Sequence, residues 1–440
     1  MASKTSSLAA ILSTLALCGC EQRPTAGVSE LDAKAVFSER LPGSLNHAPD
    51  GTWWGYNMTK IARYGDKVFT YVIENDNDAT TLSKFRIYIK EETAAWRAGV
   101  GFDTSRPGNI LVDSAGVLHA FVFAPNNLAA SDSLGKLIHY SFPHSASGNI
   151  TDFNTELAIA NDGSYEAVNI RVGAAIDAAD TMAVAFGHWN ESQVMTETLY
   201  MKKKKGAWTR SVAGTNLGHA FYYAFVLVDG ETFSLLPIQD DQVATGEPNI
   251  YQVLPFFHFD GKFWKHETLA DLRHTPLASS RRGLLEQSEL FQDSAGSIHA
   301  IYKEKLDPAA AWRVTAFKHL TRSTDGQWHT ASVDCGGLDL NWLKLVEING
   351  QIYYLGVSYD ALYIFKDGAQ PRKVRVPGMI TGAYLYLASP RTGTRDVESC
   401  VDIVLWSGRS ADYPNGPGLY VRLPKSVFMG IESTPSRAGR

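Results

Sequence analysis

The 440-residue chain has few cysteines and no excess of charge of one sign. Of its four cysteines, Cys18 and Cys20 lie near the N-terminus, and Cys335 and Cys400 are too far apart for metal-ligand spacing. We therefore expect no disulfide framework. The formal net charge is -5, with 41 basic and 46 acidic side chains, so no basic domain is present to bind nucleic acid.

Long hydrophobic runs are also scarce. The clearest covers residues 8–17, which is shorter than the roughly 18 residues of a membrane-spanning helix. Lys4 before this run and Leu17-Cys18-Gly19-Cys20 after it are typical of a bacterial lipoprotein signal. We expect residues 1–19 to be removed, Cys20 to be lipidated and residues 20–35 to form a flexible tether; an ordinary secretory signal is the alternative. Under both interpretations the protein is expected to be exported, to the outer membrane, the cell surface or the periplasm.

What the chain does have is aromatic residues (11%), 37 glycines and many short apolar runs, a composition that favours β-structure. The clearest internal repeat is Asp113-Ser-Ala-Gly-Val-Leu-His119-Ala, which is echoed by Asp293-Ser-Ala-Gly-Ser-Ile-His299-Ala. Each segment is a tight turn between apolar runs, and such a turn is a strong hairpin signal. Related turns recur at Asp66, Gly116, Asp180, Gly230, Gly296, Gly350 and Gly393.

A second hairpin follows in several of these units. Its turns precede Trp208 and include Asp260-Gly261, Asp325-Gly326 and Asp367-Gly368. Two hairpins give four antiparallel strands, and seven repeats of such a unit predict an all-β, seven-bladed β-propeller. We expect residues 36–430 to form this one domain, with the aromatic residues between blades, residues 431–440 as a tail, and a monomeric protein.

Because a propeller does not name a function, the chemistry must come from side chains. The chain contains no zinc-protease motif, P-loop or dinucleotide fingerprint. The only segment similar to a sialidase Ser-x-Asp-x-Gly-x-x-Trp box is the shortened stretch from Ser323 to Trp328, which we interpret as a hairpin turn. We expect no cofactor. The metal-ligand candidates, whose spacing fits no standard zinc pattern, are His258, His266, His274 and Cys335.

Histidines are the other candidates for chemistry. His119 and His139 fall on the predicted second and third strands of the second unit, where neighbouring strands would bring them side by side. Two imidazoles facing a groove could donate or accept protons near neutral pH. However, His299 and His319 repeat the same spacing in the fifth unit, and a recurring residue is often a packing feature. From the residues alone, both interpretations remain open.

One group of segments resembles the β-propeller polysaccharide lyases that cleave ulvan, the sulfated rhamnose–uronic acid polymer of green algae. The segments are Asn46-His47-Ala-Pro-Asp50-Gly-Thr-Trp53-Trp54-Gly-Tyr56-Asn57, Tyr71-Val-Ile-Glu74-Asn75, and the stretch from Asp113 to His119 together with His139. The resemblance implies a histidine pair on one blade acting with a tyrosine and an arginine from elsewhere. It is weaker in the third unit, where Tyr200 stands at the position equivalent to His139.

The implied reaction is β-elimination at a uronic acid. A carboxylate must be neutralised, a base must remove the C5 proton, and an acid must protonate the oxygen leaving C4. We expect His119 and His139 at the reacting uronate, with Tyr200 or Tyr223 for proton transfer. Candidate substrate-binding residues are Asn46, His47, Trp54, Arg171, Arg281 and Arg282. The alternatives are a non-catalytic glycan-binding propeller and a sialidase-like hydrolase.

Overall fold

The structure is a computed structural model. It describes residues 30–31, 36–42, 55–75, 83–104, 107–125, 135–159, 167–189, 195–202, 206–210, 220–240, 251–273, 284–306, 314–381, 383–388, 399–407, 418–429 and 431. Within these ranges the secondary structure is almost entirely β, with two short 3-10 helices at Ser145–Ser147 and Lys425–Val427. No helix in this part of the chain is both long and apolar enough to cross a membrane.

The strands of the first three sheets follow one another in the chain. Sheet 1 contains β3 (Ile61–Tyr64), β4 (Lys67–Asn75), β5 (Ser83–Glu91) and β6 (Arg97–Thr104). Sheet 2 contains β7 (Asn109–Val112), β8 (Leu118–Pro125), β9 (Gly135–Phe142) and β10 (Asn154–Ile159). Sheet 3 contains β11 (Ala167–Ile176), β12 (Met182–Trp189), β13 (Met195–Lys202) and β14 (Thr209–Arg210).

The next two sheets repeat this order. Sheet 4 contains β15 (Ala220–Asp229), β16 (Thr232–Asp240), β17 (Tyr251–Phe259) and β18 (Trp264–Asp271). Sheet 5 contains β19 (Leu284–Gln292), β20 (Ile298–Lys305), β21 (Ala316–Arg322) and β22 (Trp328–Ser332).

The last two sheets each take one strand from the N-terminal region. Sheet 6 contains β23 (Trp342–Ile348), β24 (Gln351–Val357), β25 (Leu362–Phe365), β26 (Arg372–Val374) and β1 (Glu30–Leu31). Sheet 7 contains β27 (Ala383–Ala388), β28 (Cys400–Ser407), β29 (Leu419–Pro424) and β2 (Phe37–Arg40). β1 pairs with β26 in parallel, whereas β2 pairs with β29 antiparallel.

These sheets form a β-propeller. The first strands of successive sheets pack side by side around the axis, and β27 returns to β3. Six sheets are four-stranded antiparallel blades, so the predicted count of seven such blades is wrong. The remaining sheet has five strands because β1, which lies in the segment expected to be a tether, adds a parallel edge.

The repeated turn connects the first and second strands of a sheet, as predicted. Asp113 Oδ1 accepts the amides of Ala115 (2.9 Å) and Val117 (2.8 Å), and Gly116 has φ +81°. A left-handed φ is accessible to glycine without steric cost, which explains the motif. The turn at Asp293 repeats these bonds. The other predicted turns also join first and second strands, except that near Gly393, which lies outside the described residues.

Residues 56–60 enter the centre of the ring before β3 begins. The ring of Tyr56 lies 4.4 Å from that of Tyr223 in sheet 4 and 4.9 Å from that of Trp342 in sheet 6. Asn57 Nδ2 donates to the carbonyls of Val172 (3.3 Å) and Ala224 (2.9 Å) in sheets 3 and 4. β11 and β15 have register shifts at these carbonyls, so this segment, the axial plug, satisfies groups that the strand ladders leave open.

Aromatic side chains fill the layers between sheets, as predicted. Tryptophans at the start of fourth strands reach into the preceding sheet: Trp208 contacts Phe121 at 5.7 Å between ring centroids, and Trp328 contacts Phe256 at 5.0 Å. Each contact is edge-to-face, an arrangement that aromatic rings favour. Inter-sheet packing of this kind replaces the single core of an ordinary domain.

Candidate catalytic site at the histidine pair

His119 on β8 and His139 on β9 lie side by side, as predicted. Their Nδ1 and Nε2 atoms, respectively, are 3.0 Å apart. The residues are 5% and 1% exposed, and His139 pairs across the strands with Phe121. Phe121 packs against Val184 of sheet 3, so the pair lies in the layer between sheets 2 and 3.

Trp208 determines which nitrogens of the pair carry protons. Its indole Nε1 donates to His139 Nδ1 at 3.1 Å, and an indole nitrogen can only donate. His139 Nδ1 is therefore unprotonated, so its own proton lies on Nε2 and is donated to His119 Nδ1. The His119 proton must then lie on Nε2. With one proton on each imidazole, all three N–H groups point in the same direction.

His119 Nε2 ends this chain as a buried donor without a hydrogen-bond partner. The nearest carboxylate oxygen, Asp113 Oδ2, is 3.7 Å away, which is too far for a hydrogen bond. Burial raises the pKa of Asp113, but His119 and the amides of Val117 and Ala115 outweigh it and hold that pKa below its usual value. The carboxylate is therefore ionised at neutral pH and competes with an incoming anion for this N–H.

The second histidine pair, in sheet 5, has nearly the same distance between its imidazoles, but its two outer ring nitrogens have different partners. His299 Nδ1 and His319 Nε2 are 2.9 Å apart. His299 Nε2 lies 3.0 Å from Asp293 Oδ2, and His319 Nδ1 lies 2.7 Å from the hydroxyl of Tyr354. Burial, followed by the charge of His299, lowers the pKa of His319 to about 4. Every ring nitrogen of this pair has a partner, whereas the sheet 2 pair leaves one donor open.

The predicted tyrosines do not both accompany the histidines. Tyr223, with φ +55° and 5% exposure, packs at the axis on Tyr56 rather than in the layer that contains His139. Tyr200 lies on β13 at the register position opposite Val184. Because Val184 packs in the same cluster as Phe121, this register position belongs to the sheet that faces the histidine pair.

The predicted substrate-binding residues are only partly within the described chain. Arg171 lies on β11 between the paired positions Asn169 and Gly173, where the register shifts. The other substrate-binding candidates lie outside the described residues: Asn46, His47, Trp54, Arg281 and Arg282. The predicted lipidation site, Cys20, also lies outside them. His274, one of the metal-ligand candidates, also lies outside them.

Neither a metal site nor a sialidase-type box emerges from the described part of the chain. No group of three or more His, Cys, Asp or Glu residues there is arranged to hold a metal ion. Residues 323–327 form the turn between β21 and β22, as predicted for a hairpin. Cys335 and Cys400 are free thiols, and burial, followed by Asp334, raises the pKa of Cys335 to about 12.

Sequence reasoning missed a polar group in sheet 1. The buried Glu74 carboxylate accepts hydrogen bonds from the Tyr88 hydroxyl and from Arg86 Nε, the latter at 2.7 Å. Burial, followed by Glu74, raises the pKa of Tyr88. The signal was the alternation Lys84-x-Arg86-x-Tyr88, which places three polar side chains on one side of a strand.

Comparison with known proteins finds no matching family model and no matching curated protein. Among solved structures, the polysaccharide lyase Uly1 is similar with a TM-score of 0.54 and 10% identity, over 86% of this chain and 91% of its own. A PL25 ulvan lyase bound to -[GlcA(1-4)Rha3S]- gives a TM-score of 0.55 and 9% identity, over 89% and 99% of the two chains. The predicted resemblance to β-propeller ulvan lyases is confirmed at the level of the fold.

Proposed function

We propose that the protein is a polysaccharide lyase that cleaves an acidic, sulfated polysaccharide of the ulvan type by β-elimination at a uronic acid. The observation that carries the proposal is the open N–H of His119, at the end of a buried donor chain in a propeller similar to ulvan lyases. A buried donor without a partner costs roughly 1–3 kcal/mol, and a ligand oxygen would recover that energy.

The proposed role of His119 is to donate a hydrogen bond to the uronate carboxylate. Trp208 donates to His139, and His139 donates to His119, so each N–H polarises the next. The last donor, His119 Nε2, would then bind a carboxylate oxygen of the substrate. Hydrogen bonding to the carboxylate favours removal of the C5 proton, because the charge that develops on the carboxylate is stabilised. This arrangement suits hydrogen bonding to a carboxylate better than the role of a base, since both ring nitrogens of His139 are already engaged by Trp208 and His119.

The proposed base is Tyr200 rather than Tyr223. Its register position on β13 belongs to the sheet facing the histidines, whereas Tyr223 is packed at the axis. The base takes the C5 proton, the released electron pair forms the C4–C5 double bond, and the C4–O bond breaks. A proton donor then supplies the leaving oxygen, which balances the reaction. Arg171 on β11 is a proposed contact for substrate oxyanions.

A non-catalytic glycan-binding propeller is the second candidate, and the burial of both histidines favours it. The two functions differ in their product. A lyase creates an unsaturated uronate with a new ultraviolet absorbance, while a binding protein leaves the polymer intact. Incubation with a panel of uronate polymers, ulvan included, followed by absorbance measurement and sizing of the products, separates them.

The two histidine pairs supply matched variants for this assay. His119→Ala should reduce ulvan cleavage roughly 10²–10³-fold, while His299→Ala should leave most of the activity. Both variants should be compared at equal folded fraction, established by thermal unfolding. Wild-type turnover in folded His119→Ala, or equal losses in the two variants without loss of stability, would refute the assignment.

We also propose that the protein is exported and anchored by lipid on Cys20. Support comes from the Leu17-Cys18-Gly19-Cys20 motif after an apolar run. Mass spectrometry of the membrane fraction should find an acylated Cys20 at the mature N-terminus. A mature chain that begins at another residue would contradict the anchor.

A further inference from the structure

Arg86 in sheet 1 is a rigidly held arginine with one open edge. Its Nε donates to Glu74 Oε2 at 2.7 Å and its Nη1 donates to the carbonyl of Gly99 at 3.1 Å. Glu74 is only 7% exposed and also accepts the hydroxyl of Tyr88. The buried carboxylate is therefore fixed on both oxygens, and it fixes the guanidinium in turn.

Gly101 gives this guanidinium its place against the sheet. It pairs with Arg86 across β5 and β6, and a Cβ at Gly101 would lie 3.2 Å from Cζ and 3.3 Å from both Nη atoms of Arg86. The absence of a side chain at position 101 thus lets the planar group lie directly on the neighbouring strand. A larger residue there would push the guanidinium out of position.

The remaining edge of Arg86 is available to a ligand. Among the described residues Nη2 of Arg86 has no hydrogen-bond partner, and the Arg86 side chain is 29% exposed. Arg63, in the same sheet, is the opposite case: its Nε and Nη2 both bond Asp402 and its Nη1 bonds the carbonyl of Gly65. All three guanidinium nitrogens of Arg63 donate to groups within the protein, whereas only Nε and Nη1 of Arg86 do so among the described residues.

We propose that Arg86 binds a carboxylate or sulfate group of an acidic polysaccharide through its open Nη edge. Arginine offers these planar or tetrahedral oxyanions paired N–H donors, and a fixed guanidinium loses little entropy on binding. Lys84 lies two residues earlier on the same side of β5, but its Nζ is paired with Asp103 at 3.1 Å, so it adds no unpaired cation beside Arg86. The proposal rests on the proposed function for the identity of the polymer, but the site lies in sheet 1, whereas the histidine pair lies between sheets 2 and 3.

The experiment measures binding of ulvan, desulfated ulvan and carboxyl-reduced ulvan by isothermal titration calorimetry. Arg86→Gln should weaken ulvan binding at least about tenfold, because a charge-assisted contact is lost. The matched control is Arg97→Gln, since Arg97 lies in the same sheet with 57% exposure and should matter less than about twofold. If Arg86 holds a sulfate, Arg86→Gln should no longer affect the binding of desulfated ulvan. If it holds a carboxylate, the substitution should no longer affect the binding of carboxyl-reduced ulvan.

Two further variants keep the proposal testable if Arg86→Gln does not fold. Arg86→Lys keeps the charge but loses the paired donors, and Gly101→Val leaves Arg86 present but displaced; both should weaken binding. Ulvan binding at wild-type strength in any folded Arg86 variant, or no ulvan binding by the wild type, overturns the inference. Loss of binding in Arg86→Gln without cleavage by the wild type would sink only the lyase proposal.

Discussion

At the scale of single residues, Trp208 and Tyr354 occupy corresponding places beside the two histidine pairs. Trp208 donates to His139, and Tyr354 bonds His319. An indole only donates, whereas a phenol donates or accepts. The tautomers in sheet 2 are therefore fixed by Trp208, whereas those in sheet 5 are fixed from the other end, because the Asp293 carboxylate accepts the His299 Nε2 proton. The two pairs share one donor direction, and they differ in whether the last N–H has an acceptor.

Replacing Trp208 tests this control. Trp208→Phe keeps the aromatic packing against Phe121 but removes the N–H that His139 Nδ1 accepts, so protonation of this nitrogen no longer has to displace a donor. We expect the pair to titrate at higher pH than in the wild type and the pH profile of cleavage to shift. Nitrogen chemical shifts of the imidazoles across a pH series provide the measurement. Unchanged tautomers in the folded variant would show that Trp208 does not set them.

His319 predicts a specific loss of stability in acid. Its folded-state pKa of about 4 is below the ordinary 6.5, so between these values the unfolded chain binds a proton that the folded chain does not. Stability is unaffected above about pH 6.5 and falls by roughly 1–3 kcal/mol as the pH drops to about 4. Facing groups include His299, Tyr354 and, through His299, Asp293.

Urea unfolding at several pH values measures this loss. His319→Gln removes the titrating group, so its stability should fall less between pH 6.5 and 4 than that of the wild type. Other groups titrate in both proteins, and the difference between the two curves isolates His319. Parallel curves would contradict the assignment.

At the scale of elements, the turns between first and second strands also tie neighbouring sheets together. Ser114 donates its amide to Asp180 Oδ1 at 2.7 Å and its hydroxyl to Oδ2, which links sheets 2 and 3. Ser294 makes the same two bonds to Glu347 and links sheets 5 and 6. The serine of the repeated motif therefore serves the contact between sheets, and the aspartate and glycine before and after it serve the turn itself.

The axial plug depends on Asn57 in a way that a substitution can measure. Asn57→Ala removes this donor from the carbonyl of Ala224, whereas the carbonyl of Val172 keeps the side-chain amide of Asn109 at 2.9 Å. We expect a cost of roughly 1–3 kcal/mol for the Ala224 carbonyl, seen as a lower urea midpoint without a change in the slope of the transition. A variant as stable as the wild type would show that water replaces the amide.

The elements also show which features a sequence can reveal. The turn at Gly116 was predictable because a left-handed glycine and an aspartate cap act within five residues. The histidine pairing was predictable for the same reason, since both residues lie on adjacent strands. The partners Trp208 and Tyr354, the plug at Asn57 and the parallel strand β1 come from distant parts of the chain. No local pattern encodes them, so they emerge only when the ring closes.

At the scale of the whole molecule, the junction between sheets 7 and 1 locks the ring. Arg63 on β3 bonds Asp402 on β28 through Nε (2.5 Å) and Nη2 (2.8 Å), and the Tyr420 hydroxyl donates to the same carboxylate at 2.5 Å. Asp402 is 1% exposed. Breaking a buried pair leaves an uncompensated charge, so this site is sensitive even though the intact pair need not add net stability.

Asp402→Asn should therefore destabilise the propeller by roughly 3–5 kcal/mol, measured by thermal and urea unfolding. The control is Glu91→Gln, which removes the exposed ion pair with Arg97 (3.3 Å) and should cost less than about 1 kcal/mol. Equal effects of the two substitutions would mean that the junction does not hold the ring closed.

The parallel strand β1 has a consequence for how the molecule is held. Only residues 21–29 separate Cys20 from Glu30, where β1 joins the outer edge of sheet 6. Even fully extended, this segment spans only roughly 30–35 Å. With lipid on Cys20, as proposed, the outer edge of sheet 6 stays within this distance of the bilayer, whereas the opposite side of the propeller can lie farther from it. The membrane surface then restricts the directions from which a long polymer can approach.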